Sequence, residues 1–441
     1  MPVEEITVYK SLPKVGGHKS SSAVNTIFAV IFIFLCRYNF QLSFLPFTML
    51  EIVQAIGIIY VVLLFFDNKL HIYKKISGVF LFSLVTAVVS IISATRDFFG
   101  SLQFIRTTLD IFFFYGICLL TVKNVYHVRR DTGIAMLFDI WIYSSVIQIL
   151  ITVIFFIDNT IYDTVYSFLK VDSGIESRRD ALSVRMMGLG NQFFGAGFNY
   201  SIDMLVMALL PYVEGSKIYR NKLLYWLICA MILVVGLLSA RVFIVGVACT
   251  ILFLFINERK KISGFIKGSF RIIIWGAILL FIAFYLLSKY VPTFDLVFEW
   301  AFEIFINMFS GEGVRSNSTD VLLDMYVFPQ EVSTWLIGDG RITTSDGSYY
   351  MHTDVGFIRM IFFFGLPMTI IYYYYQLYMA RKIYTGSSIH VLKPFLLCYV
   401  LMVYLFNLKG LISGSYFLIL LLTYYEYSVT RYQRQLTNRK H

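Results

Sequence analysis

Charged residues are scarce in this chain: Asp, Glu, Lys and Arg make up 15% of its 441 residues, against roughly 25% in a soluble globular protein. A cytosolic enzyme or a disordered chain is excluded by that shortage, since either needs far more charge to stay in water. Cysteine is sparse as well. The five present, Cys36, Cys118, Cys229, Cys249 and Cys398, fall in or at the edge of apolar stretches, so they form no disulfide framework across polar loops and read as small buried apolar residues. Nucleotide and metal signatures are missing too: the sequence has no GxxxxGK[ST] loop, no HExxH, no GxSxG and no metal-type Asp-x-Asp pair, which leaves nucleotide hydrolysis and metal-assisted transfer without support. No internal repeat or low-complexity segment divides the chain.

What is present is apolar. Hydrophobic residues reach 58% and aromatic residues 18%, mean hydropathy is +0.72, and runs of about 20 apolar residues, the length that crosses a bilayer as a helix, recur along nearly the whole length. The pattern predicts an all-α polytopic integral membrane protein, one transmembrane domain over 1–441, with spans near 22–36, 41–66, 76–94, 104–122, 133–157, 197–213, 222–239, 242–257, 270–289, 355–379, 391–407 and 410–427. That makes twelve, or ten to twelve in all, because the first run is short and the last two are joined only by Asn407-Leu408-Lys409-Gly410. The excess of positive charge, +10 overall, is concentrated in alternate connections: Lys69, Lys74 and Lys75; Lys123, Arg129 and Arg130; Lys217, Arg220 and Lys222; Arg259, Lys260 and Lys261; Arg381 and Lys382. Basic loops stay on the cytoplasmic side, so this charge orients the chain, with both termini cytoplasmic, and does not imply a nucleic-acid partner.

Two connections break the pattern of short loops, and this topology puts both on the outer face: 158–196 and 290–354. Long loops in compact proteins are commonly functional. The second opens with FDLVFEWAFEIFINMF, which reads as an amphipathic helix lying in the interface, and continues through GEGVRSNSTDVLLDMY and LIGDGRITTSDGSYYMHTD, where Ser/Asn caps, glycines and aspartates predict a short helix and turns.

The polar residues of these loops are the candidates for chemistry. Arg178, Arg179 and Arg185 precede MGLGNQFFGAG, and guanidinium groups beside glycines suit an anion, bound bidentately and through backbone N–H groups. Pairing with Glu176, Asp180 or lipid headgroups accounts equally well for any single one of them. Arg241, in Ser239-Ala240-Arg241, lies at a tight outer turn, where it either snorkels or faces a polar cavity. Arg106 and Asp110 share one helix face and read as a structural ion pair. His352, Asp354 and Arg359 bring an imidazole, a carboxylate and a cation within about two helical turns of one another, a mix suited to acid–base chemistry on an anion. Tyr349 and Tyr350 could stack on sugar rings, though in so aromatic a chain packing explains them more simply.

In three stretches the chain resembles the O-antigen and capsule repeat-unit polymerases (Wzy type), bacterial inner-membrane proteins related to the O-antigen ligases. The stretches are RMMGLGNQFFGAG from Arg185, LLSARVFIVG around Arg241, and LIGDGRITTSDGSYYMHTDVGFIRMIFFFGLP, which has a Gly-x-Gly turn, a polar stretch, an Asp and a helix ending in Gly-Leu. The ligases place His-Asn directly before that helix, whereas here His352 is followed by Thr353 and Asp354, which is closer to the polymerases. The resemblance implies polymerisation of undecaprenyl-diphosphate-linked oligosaccharide units at the outer face, without metal or other cofactor. It also implies partners in the membrane, such as a chain-length regulator and a flippase. Arg185, Arg241 and Arg341, with Arg315 and Arg359, would hold the diphosphates, and His352 or Asp354 would deprotonate the attacking hydroxyl. A ligase acting on a lipid A-core acceptor and a lipid-linked oligosaccharide flippase are the competing expectations.

Overall fold

The computed structural model describes residues 19–67, 117–118, 121, 133–170, 185–190, 193–258, 289, 294–311, 313, 317–344, 348–386, 389–412, 417–423 and 425. Among these residues the chain is helical, with isolated bridges and no extended strand. The helices are α1 (Lys19–Arg37), α2 (Met49–Phe66), α3 (Gly133–Ile157), α4 (Asn159–Ser167), α5 (Phe194–Leu209), α6 (Lys217–Arg220), α7 (Lys222–Ser239) and α8 (Phe243–Glu258), followed by α9 (Phe294–Phe309), α10 (Asn317–Asp324), α11 (Val332–Ile337), α12 (Gly356–Gly386) and α13 (Leu392–Asn407). Five described segments are long and apolar enough to cross a membrane, 49–66, 134–157, 194–212, 222–239 and 356–385, and three shorter apolar helices accompany them. Among the described residues the fold is all-α, with apolar helices of the length and composition of a membrane protein. The expected spans at 76–94, 104–122 and 270–289 lie outside the described residues apart from isolated positions, as does part of 410–427.

Where spans are described, their ends follow local chemistry. The expected run at 41–66 becomes a helix only from Met49, because Thr48 and Glu51 form a reciprocal capping box: the Glu51 N–H donates to the Thr48 hydroxyl at 3.3 Å and the Thr48 N–H to the Glu51 carboxylate at 2.6 Å. Such a box starts a helix by satisfying backbone donors that have no partner within it. Helix α12, expected over 355–379, does not run straight at Gly365-Leu366. It kinks there, with Gly365 at φ +79°, and runs on to Gly386.

That kink is stabilised from outside the helix. Pro367 has no N–H for the Phe363 carbonyl, so the bend leaves carbonyls without donors. The Gly338-Asp339-Gly340 turn supplies them, with Asp339 N–H donating to the Phe362 carbonyl at 2.5 Å and Gly340 N–H to the Phe363 carbonyl at 3.2 Å. A Cβ at Gly338 would overlap the Phe363 carbonyl, and Gly338 has φ +71°. Glycine is therefore required there by both contact and conformation. The Thr334 hydroxyl donates to Asp339 Oδ1 at 2.6 Å and closes the turn.

Helix α5 is central, packing against α7, α8, α3 and α13, while α1 packs on α3 and α12 on α11 and α13. Inside this bundle lies a charged knot. Arg37 and Asp203 are both buried and meet at 2.6 Å. Trp141 Nε1 donates to the same carboxylate oxygen at 2.9 Å, and Arg37 donates to Ser145 at 2.5 Å, Ser144 at 3.1 Å and the Asn199 carbonyl at 3.3 Å. The guanidinium also lies over the Trp141 ring, 4.3 Å from its centroid. A buried ion pair loses about 3–5 kcal/mol when one partner is removed, since the other charge is left stranded, while an apolar replacement of both is nearly neutral. Arg37→Ala or Asp203→Ala should therefore destabilise the detergent-purified protein by about 3–5 kcal/mol, read as a lowered thermal midpoint, whereas the double variant Arg37→Met/Asp203→Leu should recover most of the loss. Equal damage from single and double variants would show that the pair itself is not the source.

Candidate functional site

Helices α7 and α13 end, and α5, α8 and α12 begin, around one cluster of charge. Arg185 stands at the head of the described Arg185–Gly190 segment. That segment is held by the Met186 N–H donating to the Leu238 carbonyl at 3.1 Å, by Gln148 Nε2 donating to the Leu189 carbonyl at 2.7 Å and by the Tyr166 hydroxyl donating to the Gly188 carbonyl at 2.8 Å. Its glycines are not an anion cradle. A Cβ at Gly188 would overlap Gln148 and Thr152, and one at Gly190 would overlap the Tyr38-Asn39 backbone, so the missing side chains serve packing.

The Arg185 guanidinium lies over Trp300, 4.4 Å from the ring centroid, and 5.1 Å from that of Phe193. Arg241, in the turn between α7 and α8, lies over the same indole at 4.6 Å. One turn along α9 from Trp300, Glu303 meets Arg241 at 2.5 Å; residues three apart share a helix face, which is why one helix delivers both contacts. A single indole between two guanidinium groups offsets part of their desolvation through its π face. Burial lowers the Arg241 pKa and Glu303 raises it, and an arginine remains charged under such opposing effects.

A second group adjoins the first. Arg359, buried one turn into α12, lies 4.1 Å from the Tyr349 ring centroid and 3.6 Å from Asp354 Oδ1. Lys409 links the two groups: burial and the charges of Arg185 and Arg241 depress its pKa, while Asp354 opposes them. Among the described residues the cluster thus comprises the cations Arg185, Arg241, Arg359 and Lys409 and the carboxylates Glu303 and Asp354. Arg241 Nε and Arg359 Nε are buried with no hydrogen-bond partner among the described residues, and buried donors of this kind normally have one. Such an arrangement can bind a multiply charged anion.

Of the residues singled out in the sequence, Arg185, Arg241, Arg359 and Asp354 come together. Arg341 is exposed in the Gly-x-Gly turn, its guanidinium 5.8 Å from the Tyr350 ring centroid. His352 is exposed with φ +53°, and no hydrogen bond or ion pair engages its imidazole among the described residues. Arg315, Arg178, Arg179, Arg106 and Asp110 lie outside the described residues. Trp300, Glu303 and Lys409 were missed. For Trp300 and Glu303 the available signal was their spacing of three on the amphipathic helix, and for Lys409 a cation interrupting the link between two apolar runs.

Glu303 occupies Arg241 as a competing anion would. Removing its charge in Glu303→Gln should tighten inorganic diphosphate binding to the purified protein by about tenfold, the equivalent of about 1.4 kcal/mol, measured by titration calorimetry. Weaker binding would mean that Glu303 organises the site and does not compete for it.

Comparison with family models, with curated proteins and with solved structures returned no match.

Proposed function

We propose that this chain is a multi-pass protein of the bacterial inner membrane, with both termini cytoplasmic. In this reading it joins undecaprenyl-diphosphate-linked oligosaccharide units into O-antigen or capsular polysaccharide at the outer face, as Wzy-type polymerases do. The observation that carries this reading is the gathering of Arg185, Arg241, Arg359 and Lys409 from four separate segments beside a partly exposed carboxylate, with two buried guanidinium Nε groups that have no hydrogen-bond partner among the described residues. A glycosyl transfer from a lipid diphosphate needs those groups and no nucleotide.

The chemistry follows from the groups. The donor diphosphate lies among the cations, whose charges stabilise the negative charge that builds on it as the sugar C1–O bond breaks. Guanidinium groups suit this task because each presents two parallel N–H donors to a phosphoryl group. The acceptor hydroxyl attacks C1 and its proton passes to a base, while undecaprenyl diphosphate leaves with the bonding electron pair. Asp354 is the favoured base: its partly exposed carboxylate belongs to the cluster, 3.6 Å from Arg359. His352, exposed and set apart by the contacts above, is the second choice. Exposed aromatics such as Tyr349 offer a ring face on which a sugar can stack.

The test is the surface-polysaccharide ladder of a deletion strain complemented with variants, membrane levels being checked by blot. Arg185→Ala and Arg241→Ala should each reduce polymerisation about 100-fold or more, the usual cost of removing one group that stabilises developing charge. Only core plus a single unit would then remain. Asp354→Asn should do the same, and His352→Ala should retain a ladder. The reverse order for the last two would make His352 the base, and loss of the single-unit band on deletion would favour the ligase or flippase reading.

A further inference from the structure

Lys409 sits in a turn that the structure constrains on every side. After α13 the chain reverses through Leu408-Lys409-Gly410. Asn407 holds the reversal: its Nδ2 donates to the Val403 carbonyl at 2.7 Å, and its Oδ1 accepts from the Tyr373 hydroxyl at 3.0 Å and from the Ile412 N–H at 3.4 Å. The Leu408 carbonyl accepts from the Tyr326 hydroxyl at 2.6 Å. Gly410 lies against the Phe194 ring, where an added Cβ would come within 2.9 Å, and a Cβ at Gly356 would come within 2.7 Å of the Gly410 carbonyl. The turn is therefore pressed against the first residues of α5 and α12. Those two helices are entered through Phe193, which touches Arg185, and through Asp354. A lysine fixed there stands beside the chain entries that carry Arg185 and Asp354, and Arg185, Arg241 and Asp354 are the charged groups that act on it.

A purely structural lysine is poorly served by this position. Two like charges and partial burial both disfavour its charged form, and the carboxylate that opposes them, Asp354, is shared with Arg359. A lysine that only anchored the turn to lipid headgroups would sit away from the arginines, with its ammonium in water. The arrangement becomes favourable once an anion of high charge lies beside it, because the anion then offsets the repulsion that Lys409 meets from Arg185 and Arg241. A monophosphate is satisfied by the two guanidinium groups over Trp300. A diphosphate carries a second phosphoryl group, with more charge and more acceptor oxygens than that pair answers.

We propose that Lys409 is a direct ligand of the substrate diphosphate and the residue that makes the site prefer a diphosphate to a monophosphate. The proposal rests on the anion-binding reading of the cluster, and its test is separable from polymerisation. Full-length protein in nanodiscs of uncharged phosphatidylcholine is titrated with inorganic diphosphate and with inorganic phosphate. Wild type should prefer diphosphate. Lys409→Gln should lose about 10- to 100-fold for diphosphate, the range expected for one charge-assisted hydrogen bond, with little change for phosphate, and Lys409→Arg should keep the preference. Affinity of wild type for diphosphate should fall as pH rises past the depressed ammonium pKa, because the bound anion needs the charged form, and this fall should vanish in Lys409→Arg.

Unchanged diphosphate affinity in a folded Lys409→Gln protein, or equal loss for both anions, would overturn the proposal. Should Lys409→Gln not fold, Lys409→Met and the pH dependence of wild type against Lys409→Arg decide it by the same criteria. If the preference depends on Lys409 while a deletion strain keeps its polysaccharide ladder, the assignment stands and the polymerase reading falls. If the ladder requires the protein but the preference does not require Lys409, the polymerase reading stands and the assignment falls.

Discussion

The buried contact between Arg37 and Asp203 holds together the parts of the molecule on which the site depends. Two ions in a low-dielectric interior are tolerated only with partners, and here these come from three helices: Arg37 at the end of α1, Trp141, Ser144 and Ser145 on α3, and Asn199 and Asp203 on α5. Satisfying the pair therefore fixes α1, α3 and α5 relative to one another. The residues just after Arg37, Tyr38 and Asn39, form the wall against which Gly190 packs, and Gly190 belongs to the segment that carries Arg185. The start of α5, a few residues before Asn199, supports both Arg185 and the Lys409 turn through Phe193 and Phe194. A charge pair inside the apolar bundle thus sets the position of the cations at its end.

Those cations are close together, which is costly unless something offsets their repulsion. Trp300 lies between Arg185 and Arg241, and Glu303 and Asp354 each neutralise one arginine. Among the described residues, the buried Nε groups of Arg241 and Arg359 have no hydrogen-bond partner. Partial compensation is the state expected of a binding site, since a fully neutralised cluster has nothing left to offer a ligand and an uncompensated one does not fold.

Motifs that resemble a family do not all serve chemistry. The Gly-x-Gly turn at Gly338–Gly340 looks like a loop for an anion, yet its N–H groups are used on carbonyls that the Gly365–Pro367 kink leaves open. The two glycine-containing stretches form one tertiary contact between α11 and α12. The glycines of Arg185–Gly190 likewise let segments approach closely. In both places backbone donors and small residues are spent on the fold, which leaves only side chains for the anion binding proposed above.

Apolar composition and run length by themselves determined the class of the molecule and the limits of its helices near 133–157, 222–239 and 391–407, because helix formation in an apolar run depends on local length and hydropathy. Arg185, Arg241, Arg359 and Asp354 were also legible, since charge in an otherwise apolar chain stands out and has to be used. Only the tertiary structure decided that Trp300 lies between two arginines, that Glu303 pairs with Arg241, that Lys409 joins them, and that Arg37 and Asp203 meet in the core. Each of these contacts joins residues tens to hundreds of positions apart, and no local periodicity encodes which distant helix end will be adjacent. That is settled by how the apolar surfaces pack and by the need of each buried charge to find a partner.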